Sequence, residues 1–294
     1  MRRFIMFLTL APAMLLFSSA SALFAQQTGM SSYSEVNWID GKMVINVETT
    51  FAPGSESLRM RDNSEEFFKK NFFNIFMDSI KKDKYGPLYY NSSFTIDEMI
   101  RKTPDMLSSI NDINNNIIKV FSVYNQDMAG VRMQYKLDIY SDIGRYFIKH
   151  KIPVKPEKTF IWVPSAKYSG VVIYAKGEYP LHGENIKGTL PPALFPTVYD
   201  ERMRKIISME MVSPEFLKKW GCAAYFSDPS DPGIKERAGD KPFYTMASSL
   251  FGRNRTDIVI PVSDADKLLY RGRNERLITE GRFVIIHDLP ASAP

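Results

Sequence analysis

The fold is first readable in the stretch Val36–Val47, which runs VNWIDGKMVINV. Two apolar runs flank Asp40 and Gly41 in this stretch. Asp-Gly between alternating runs predicts a β-hairpin with a two-residue turn, because both central turn residues need a positive φ. We therefore predict that the folded part of the chain begins with two antiparallel strands.

Beyond the hairpin, apolar residues recur at the spacing of an α-helix. Ser64 is placed to cap this helix, and the acidic residues that follow it suit the positive helix end. Packing against a core explains the apolar stripe, although a membrane-surface helix would show the same pattern. Thr95 and Glu98 have the spacing of a capping box for a second helix. The stripe consists of Phe68, Phe72, Ile75, Phe76 and Ile80.

Two further strands are predicted at 118–124 and 131–139, where apolar and polar residues alternate. The second half of the chain differs, because its apolar runs, such as Thr159–Val163, are short and interrupted by proline and glycine. The predicted fold class is therefore α+β. A small antiparallel sheet with helices forms the N-terminal half, and a β-rich α+β module follows it.

This order of segments divides the chain into modules. Proline fixes φ and restricts the residue before it, so the Ile152–Pro156 stretch predicts a stiff connector. The predicted parts are a signal peptide (1–25), a flexible leader (26–34), an N-terminal α+β module (35–150), a linker (151–156), a C-terminal β-rich module (157–290) and a tail (291–294).

The first residues have the layout of a secretory signal peptide. Arg2 and Arg3 precede an uncharged apolar run, and small residues follow it. Cleavage is predicted after Ala22 or Ala25, and we favour Ala25 because a polar stretch follows. The apolar run is shorter than the roughly 20 residues of a membrane span, which disfavours the alternative of an uncleaved anchor. We expect a bacterial envelope protein in the periplasm or at the outer-membrane periphery.

Residues that could carry catalytic chemistry are few and scattered. Cys222 is the single cysteine, and its apolar neighbours predict a small buried side chain rather than a nucleophile. The three histidines lack the spacing of metal ligands. We therefore predict no enzyme, with no catalytic, cofactor or metal site. The histidines are His150, His182 and His287.

Two acidic pairs allow a functional and a structural interpretation. Asp264 and Asp266 have the Asp-x-Asp spacing of metal ligands, but no further oxygen ligands follow them. They fall at the predicted start of a helix, so we favour a capping role. Asp200 and Glu201 could act as acid and base, but neighbouring strand residues point to opposite faces. We interpret them as part of a turn between two strands.

Basic residues near the C-terminus are the candidate docking surface. The formal net charge is +5, which becomes about +3 without the two signal-peptide arginines. This mild excess, in an exported protein, does not indicate nucleic-acid binding. The clusters could bind an acidic protein face or an anionic envelope polymer such as peptidoglycan, and a solvated surface is the alternative. They contain Arg253, Arg255, Arg271, Arg273 and Arg276.

Three segments of the second half resemble those of a known family. They are Ser169–Gly177 (SGVVIYAKG), Pro192–Glu201 (PALFPTVYDE) and the closing strand–helix–strand from Thr256 to Ile286. Over residues 160–288 they resemble, in the same order, FlgT-type flagellum-associated proteins and LPP-type outer-membrane lipoproteins. The chain departs from this family at Tyr174 and Lys176, where Asp and Arg are usual, and it lacks the lipid-bearing cysteine.

The resemblance implies a structural or assembly protein of the periplasm, associated with the flagellum or the outer membrane, and supplies no catalytic residues. We therefore predict a non-enzymatic protein that docks onto envelope or flagellar proteins. A wall-polymer-binding module and a soluble periplasmic enzyme are the alternatives. Peripheral membrane contact and oligomerisation are left open.

Overall fold

A computed structural model describes residues 27–52, 57–84 and 86–288. The predicted signal peptide and the predicted tail lie outside these residues. The described part combines helices with an antiparallel N-terminal sheet and a strand-rich C-terminal half. This arrangement confirms the predicted α+β class.

The N-terminal module contains four strands, β1 (Gln27–Asn37), β2 (Lys42–Phe51), β3 (Ile118–Tyr124) and β4 (Gly130–Asp138). They form one antiparallel sheet in the order β1-β2-β4-β3. Residues of β2 and β4 alternate between buried and more exposed positions, as their sequence pattern predicts.

The predicted hairpin joins β1 to β2, but its loop has four residues rather than two. Asn37 pairs with Lys42, so Trp38–Gly41 lies outside the strands. Of the two predicted turn residues, Asp40 and Gly41, only Gly41 has a positive φ, 67°. Trp38 leaves the strand because it packs edge-on against Tyr225 of the C-terminal half, with ring centroids 5.6 Å apart.

The predicted flexible leader is wrong for its described residues, because β1 extends over them. β1 pairs with β2 as far as Gln27 opposite Phe51. Ser34 is fully buried, and its hydroxyl donates a hydrogen bond to the Ser79 carbonyl at 2.8 Å. Small polar side chains can be buried when they are hydrogen-bonded, so a polar sequence did not indicate a flexible one here.

Helix α1 (Ser57–Lys81) packs against this sheet, and α2 (Ile96–Lys102) and α3 (Pro104–Asn116) pack against α1 and against each other. The predicted apolar stripe of α1 is buried. Ser64 does not cap α1, because its hydroxyl donates to the Met60 carbonyl inside the helix and contacts the Thr49 hydroxyl. The capping box of α2 is confirmed: Thr95 N–H donates to Glu98, and Glu98 N–H donates to the Thr95 hydroxyl.

The C-terminal module contains two four-stranded sheets and one short strand pair. Its helices are α4 (Pro214–Trp220), α5 (Gly233–Ala238), α6 (Val262–Leu269) and α7 (Glu275–Thr279). Its strands are β5 (Val171–Ala175), β6 (Tyr179–Pro180), β7 (Lys187–Gly188), β8 (Val198–Asp200), β9 (Lys205–Ile207), β10 (Ala223–Phe226), β11 (Phe243–Met246), β12 (Ser249–Phe251), β13 (Asp257–Ile260) and β14 (Phe283–His287).

The first of these sheets is entirely parallel and has the order β10-β14-β5-β11. The second has the order β12-β13-β8-β9, and only β13 and β8 run parallel in it. The apolar run Thr159–Val163 forms no strand. Its only pairing is a single bridge from Thr159 to Tyr270.

A tyrosine joins the two modules. Tyr140 is buried and follows β4 in a π-helical turn, Ile139–Ile143. Its ring occupies space left by two glycines, one from each module. A Cβ added at Gly41 or Gly221 would lie 2.4 or 2.3 Å from ring carbons. One continuous hydrophobic core therefore spans both modules.

The predicted linker runs along the C-terminal module. Val154 N–H donates to the Glu210 carbonyl at 2.8 Å, and Pro156 is buried. No helix within the described ranges is both long and apolar enough to cross a bilayer.

Candidate functional site

The five arginines of the predicted docking surface fall in two separate places. Arg253 forms an ion pair with Glu98 of α2 at 2.9 Å. Arg255 covers Gly188, where an added Cβ would lie 2.7 Å from a guanidinium nitrogen. Arg253 therefore has a carboxylate partner inside the protein and connects the two modules, whereas Arg255 lies against the Gly188 backbone.

The remaining three arginines follow α6. Arg271 and Arg273 lie over the Tyr270 ring, with guanidinium carbons 5.1 and 5.3 Å from its centroid. Arg276 begins the next turn and contacts Glu280. The aromatic ring orients two cations beside each other without neutralising their charge.

Arg273 and Arg276 line an open cleft of about 480 Å³. The cleft lies at the amino ends of parallel strands, because Ser169, Lys241 and Arg282 come just before β5, β11 and β14. It is lined by Lys167, Tyr168, Ser169, Asp240, Lys241, Arg273, Asn274, Arg276, Leu277, Glu280 and Arg282.

The acidic residues of the cleft already have partners. Asp240 pairs with Lys235 at 2.9 Å, and this ion pair lowers the pKa of the Asp240 carboxyl. Burial raises the pKa of Glu280, but hydrogen bonds from Arg282 and Arg276 outweigh burial, so its pKa is lowered. Glu280 therefore stays ionised.

Three cations of the cleft are left without a carboxylate. Within the described ranges, no acidic group lies at ion-pair distance from Lys167, Lys241 or Arg273. Lys167, Lys241 and Arg273 are all exposed. The cleft therefore presents net positive charge to solvent.

Hydrogen bonds fix the backbone around these cations. The Ser169 hydroxyl donates to the Ala238 carbonyl at 2.7 Å and accepts the Lys241 N–H at 2.9 Å. Buried Asn274 accepts the Tyr168 N–H at 3.0 Å. The cleft is thus assembled from segments that are held in place before any ligand arrives.

The other candidates for chemistry do not converge. His150 bonds to the Val212 carbonyl, and His182 lies 3.4 Å from the Ser249 hydroxyl. Burial lowers the pKa of His287 to about 4 and raises the pKa of Cys222 above its ordinary value. Among the residues that the structure describes, no three His, Cys, Asp or Glu side chains could hold a metal ion.

The turn predicted for Asp200 is confirmed, since its carboxylate accepts the backbone N–H groups of Arg202 and Arg204. The capping role is supported only for Asp264, which lies in the first turn of α6 near its positive end, and neither Asp264 nor Asp266 makes a capping hydrogen bond. Asp264 accepts a hydrogen bond from Thr245 of β11. Asp266 instead pairs with Arg204 at 2.6 Å, because a hydrogen bond from a charged guanidinium is stronger than one from a neutral backbone N–H.

The sequence pattern did not indicate the lysines of the cleft. Lys167 and Lys241 lie far from the arginine-rich stretch in sequence, and only parallel pairing of β5 and β11 brings them together. A usable signal was present, since each precedes a short apolar run. Recognising it requires knowing which strands are neighbours.

Fold and cleft together define a two-module α+β protein with a basic cleft. Two family models match it, one in each half. Residues 29–146 match the N-terminal domain of Treponema pallidum Tp0624, and residues 170–289 match the second domain of the same protein. A comparison with curated proteins gives no match. Neither family description mentions FlgT-type or LPP-type proteins, so that resemblance stays a prediction.

Proposed function

We propose that this chain is a non-enzymatic docking protein of the bacterial envelope, and that its basic cleft binds an acidic segment of a partner protein. The observation that carries the proposal is the set of three exposed cations, Lys167, Lys241 and Arg273, that have no carboxylate partner among the described residues. Complementary charge increases association rate and fixes the orientation of a partner.

The rigidity of the cleft supports docking rather than turnover. The Ser169 and Asn274 side chains hold the backbone of Lys241 and Tyr168 by hydrogen bonds. The carboxylates of the cleft are already paired, Asp240 with Lys235 and Glu280 with two arginines. A general acid or base needs a titratable group that is available to the substrate, and Glu280 is engaged with two cations. An envelope address rests on the predicted signal peptide, and a flagellar partner rests on the resemblance.

The test places a photo-crosslinking side chain at Asp240, inside the cleft, and in a second variant at Lys187, an exposed position outside it. Cross-linked peptides are identified from intact cells. We expect an acidic peptide to be captured from position 240 and not from position 187. Capture of the same peptides from both positions would contradict the proposal.

Charge reversal gives the second arm of the experiment. The variant Lys241→Glu with Arg273→Glu should lower capture at least about tenfold, since two favourable contacts become repulsive. The matched control reverses exposed Lys69 and Lys187 outside the cleft and should retain capture. If the wild type captures no protein but sediments with purified cell wall, and the charge reversal abolishes sedimentation, the cleft binds wall polymer instead.

A further inference from the structure

The segment between the linker and β5 exposes consecutive large apolar side chains. Phe160 and Ile161 are each 73% exposed, and Trp162 is 75% exposed. Upstream in the same segment, Ile152 and Val154 are also exposed. Single exposed apolar residues are ordinary, but a contiguous run of this kind marks an interaction surface.

The fold imposes this exposure, because the run is fixed at both ends. On one side, Thr159 is buried, and its hydroxyl donates to Asp266 at 2.9 Å. On the other, the Ser165 hydroxyl donates to the Lys267 carbonyl at 2.7 Å. Phe160, Ile161 and Trp162 therefore form an apolar tip that is anchored on both sides.

Cations surround the apolar tip. The preceding residues 149–158 contain four lysines and one glutamate. Lys155 and Lys158 share a single carboxylate, Glu275, at 3.9 and 3.7 Å. Arg271 is adjacent, since its backbone N–H bonds to the Thr159 carbonyl. The apolar tip thus lies in a region of net positive charge.

We infer that the apolar tip Phe160–Trp162 inserts into the interface of an anionic lipid bilayer, while the surrounding lysines and Arg271 contact the headgroups. Aromatic side chains favour the membrane–water interface, and lysine or arginine near an anionic surface strengthens binding to it. A charged protein face would complement the cations but would not accommodate three apolar side chains. The inference goes beyond the proposed docking cleft and does not depend on it.

Trp162 provides its own readout. Of the three tryptophans, Trp38 is buried and Trp220 is stacked on Phe216 with centroids 5.5 Å apart. Insertion should therefore shift the fluorescence of Trp162 to shorter wavelength and protect it from an aqueous quencher. The variant Trp162→Phe keeps an apolar ring and should bind vesicles without this shift.

The experiment uses residues 26–294, which contain every described residue and exclude the predicted signal peptide, since that segment would itself bind lipid. Binding is measured on vesicles of phosphatidylglycerol with phosphatidylethanolamine and on vesicles of phosphatidylcholine alone. We expect binding to the anionic vesicles only, weakened by salt. The variant Phe160→Ser with Trp162→Ser should lose at least about tenfold in partitioning.

Two results would overturn the inference. One is no binding to anionic vesicles by the wild type, and the other is equal binding by the double serine variant. Unfolding by urea should be the same for both proteins because the exchanged side chains are exposed, so lost binding cannot be attributed to misfolding. The matched control Phe73→Ser removes an exposed aromatic ring of α1 and should bind like the wild type.

Discussion

The two modules bury different kinds of polar side chain. Among the described residues of the N-terminal half, the buried polar side chains are hydroxyls with one exception, Asp83. In the C-terminal half, five buried side chains are acids, an arginine or a histidine: Asp200, Arg237, Asp257, Glu280 and His287.

The difference follows from the lengths of the strands. β1 and β2 have 11 and 10 residues, and backbone pairing satisfies most of their polar groups. β10 has only four residues, so the backbone N–H and C=O groups of the turns around it need hydrogen bonds from side chains. Arg237 illustrates this, because its guanidinium donates to the carbonyls of Trp220, Gly221 and Gly281. One half is held by apolar packing and the other also by specific polar contacts.

The strongest test of this comparison asks whether the two halves unfold separately. We expect Tyr140→Ala to lower the free energy of unfolding by about 3 to 5 kcal/mol, because it empties a fully buried site between the modules. Urea unfolding followed by tryptophan fluorescence measures the change. Tyr140→Phe keeps the ring and is the control, with a loss of less than about 1.5 kcal/mol. A loss confined to one of two separate transitions would show that the modules are not coupled.

The second prediction concerns pH and the C-terminal half. Burial raises the pKa of Asp257 from 3.8 to about 6. Its stabilising contribution is therefore present below pH 3.8 and is lost as pH rises through 6. Burial lowers the pKa of His287 from 6.5 to about 4. That contribution is present above pH 6.5 and is lost as pH falls through 4. The two groups change the free energy of unfolding in opposite directions as pH rises, each by about 3 kcal/mol.

Single variants should separate the two effects. Asp257→Asn keeps an acceptor for the Thr197 N–H, so its stability should rise between pH 4 and 6.5 more steeply than that of the wild type. His287→Leu should show the opposite slope. Urea unfolding across this pH range measures both. Parallel curves for the wild type and both variants would rule out these two groups as the source of pH dependence.

The smallest expected effect tests the N-terminal half. Thr95→Ala removes the side-chain acceptor at the start of α2 and should cost about 1 kcal/mol. The cap includes the Glu98 carboxylate, and hydrogen bonds from Thr95 and Arg253 lower its pKa. Because Glu98 is ionised at both values, the cost should be the same at pH 6.5 and pH 8. Thr95→Ser keeps the cap and should be nearly neutral. A cost that varied between these two pH values would show that a titrating group takes part in this cap, against the assignment of pH dependence to the C-terminal half.

The same difference explains what could be predicted from sequence. Alternation over β4 and the stripe of α1 are long enough to identify their elements, and both are confirmed. The hairpin loop was predicted two residues too short, because the partner of Trp38 is Tyr225, far along the chain. Thr159–Val163 has a strand-like composition, yet its hydrogen bonds are made at its ends and leave the middle exposed. Long-range contacts decided both outcomes.

The basic cleft was only partly predictable for a related reason. The sequence places the five arginines in two clusters, with Arg253 and Arg255 in one and Arg273 and Arg276 in the other, but it does not show which cluster lines a cleft. The structure separates the two groups, because Arg253 pairs with Glu98. Lys241 joins the cleft through the pairing of β11 with β5, which local pattern does not encode.

The glycines that line the position of Tyr140 are synthesised at different times. Gly41 precedes this tyrosine, but Gly221 and the Tyr225 partner of Trp38 leave the ribosome later. At about 5 to 20 residues per second, roughly 4 to 17 s pass between Tyr140 and Tyr225. During that interval the Trp38 and Tyr140 rings of the nascent N-terminal half lack the C-terminal residues that cover them in the folded protein.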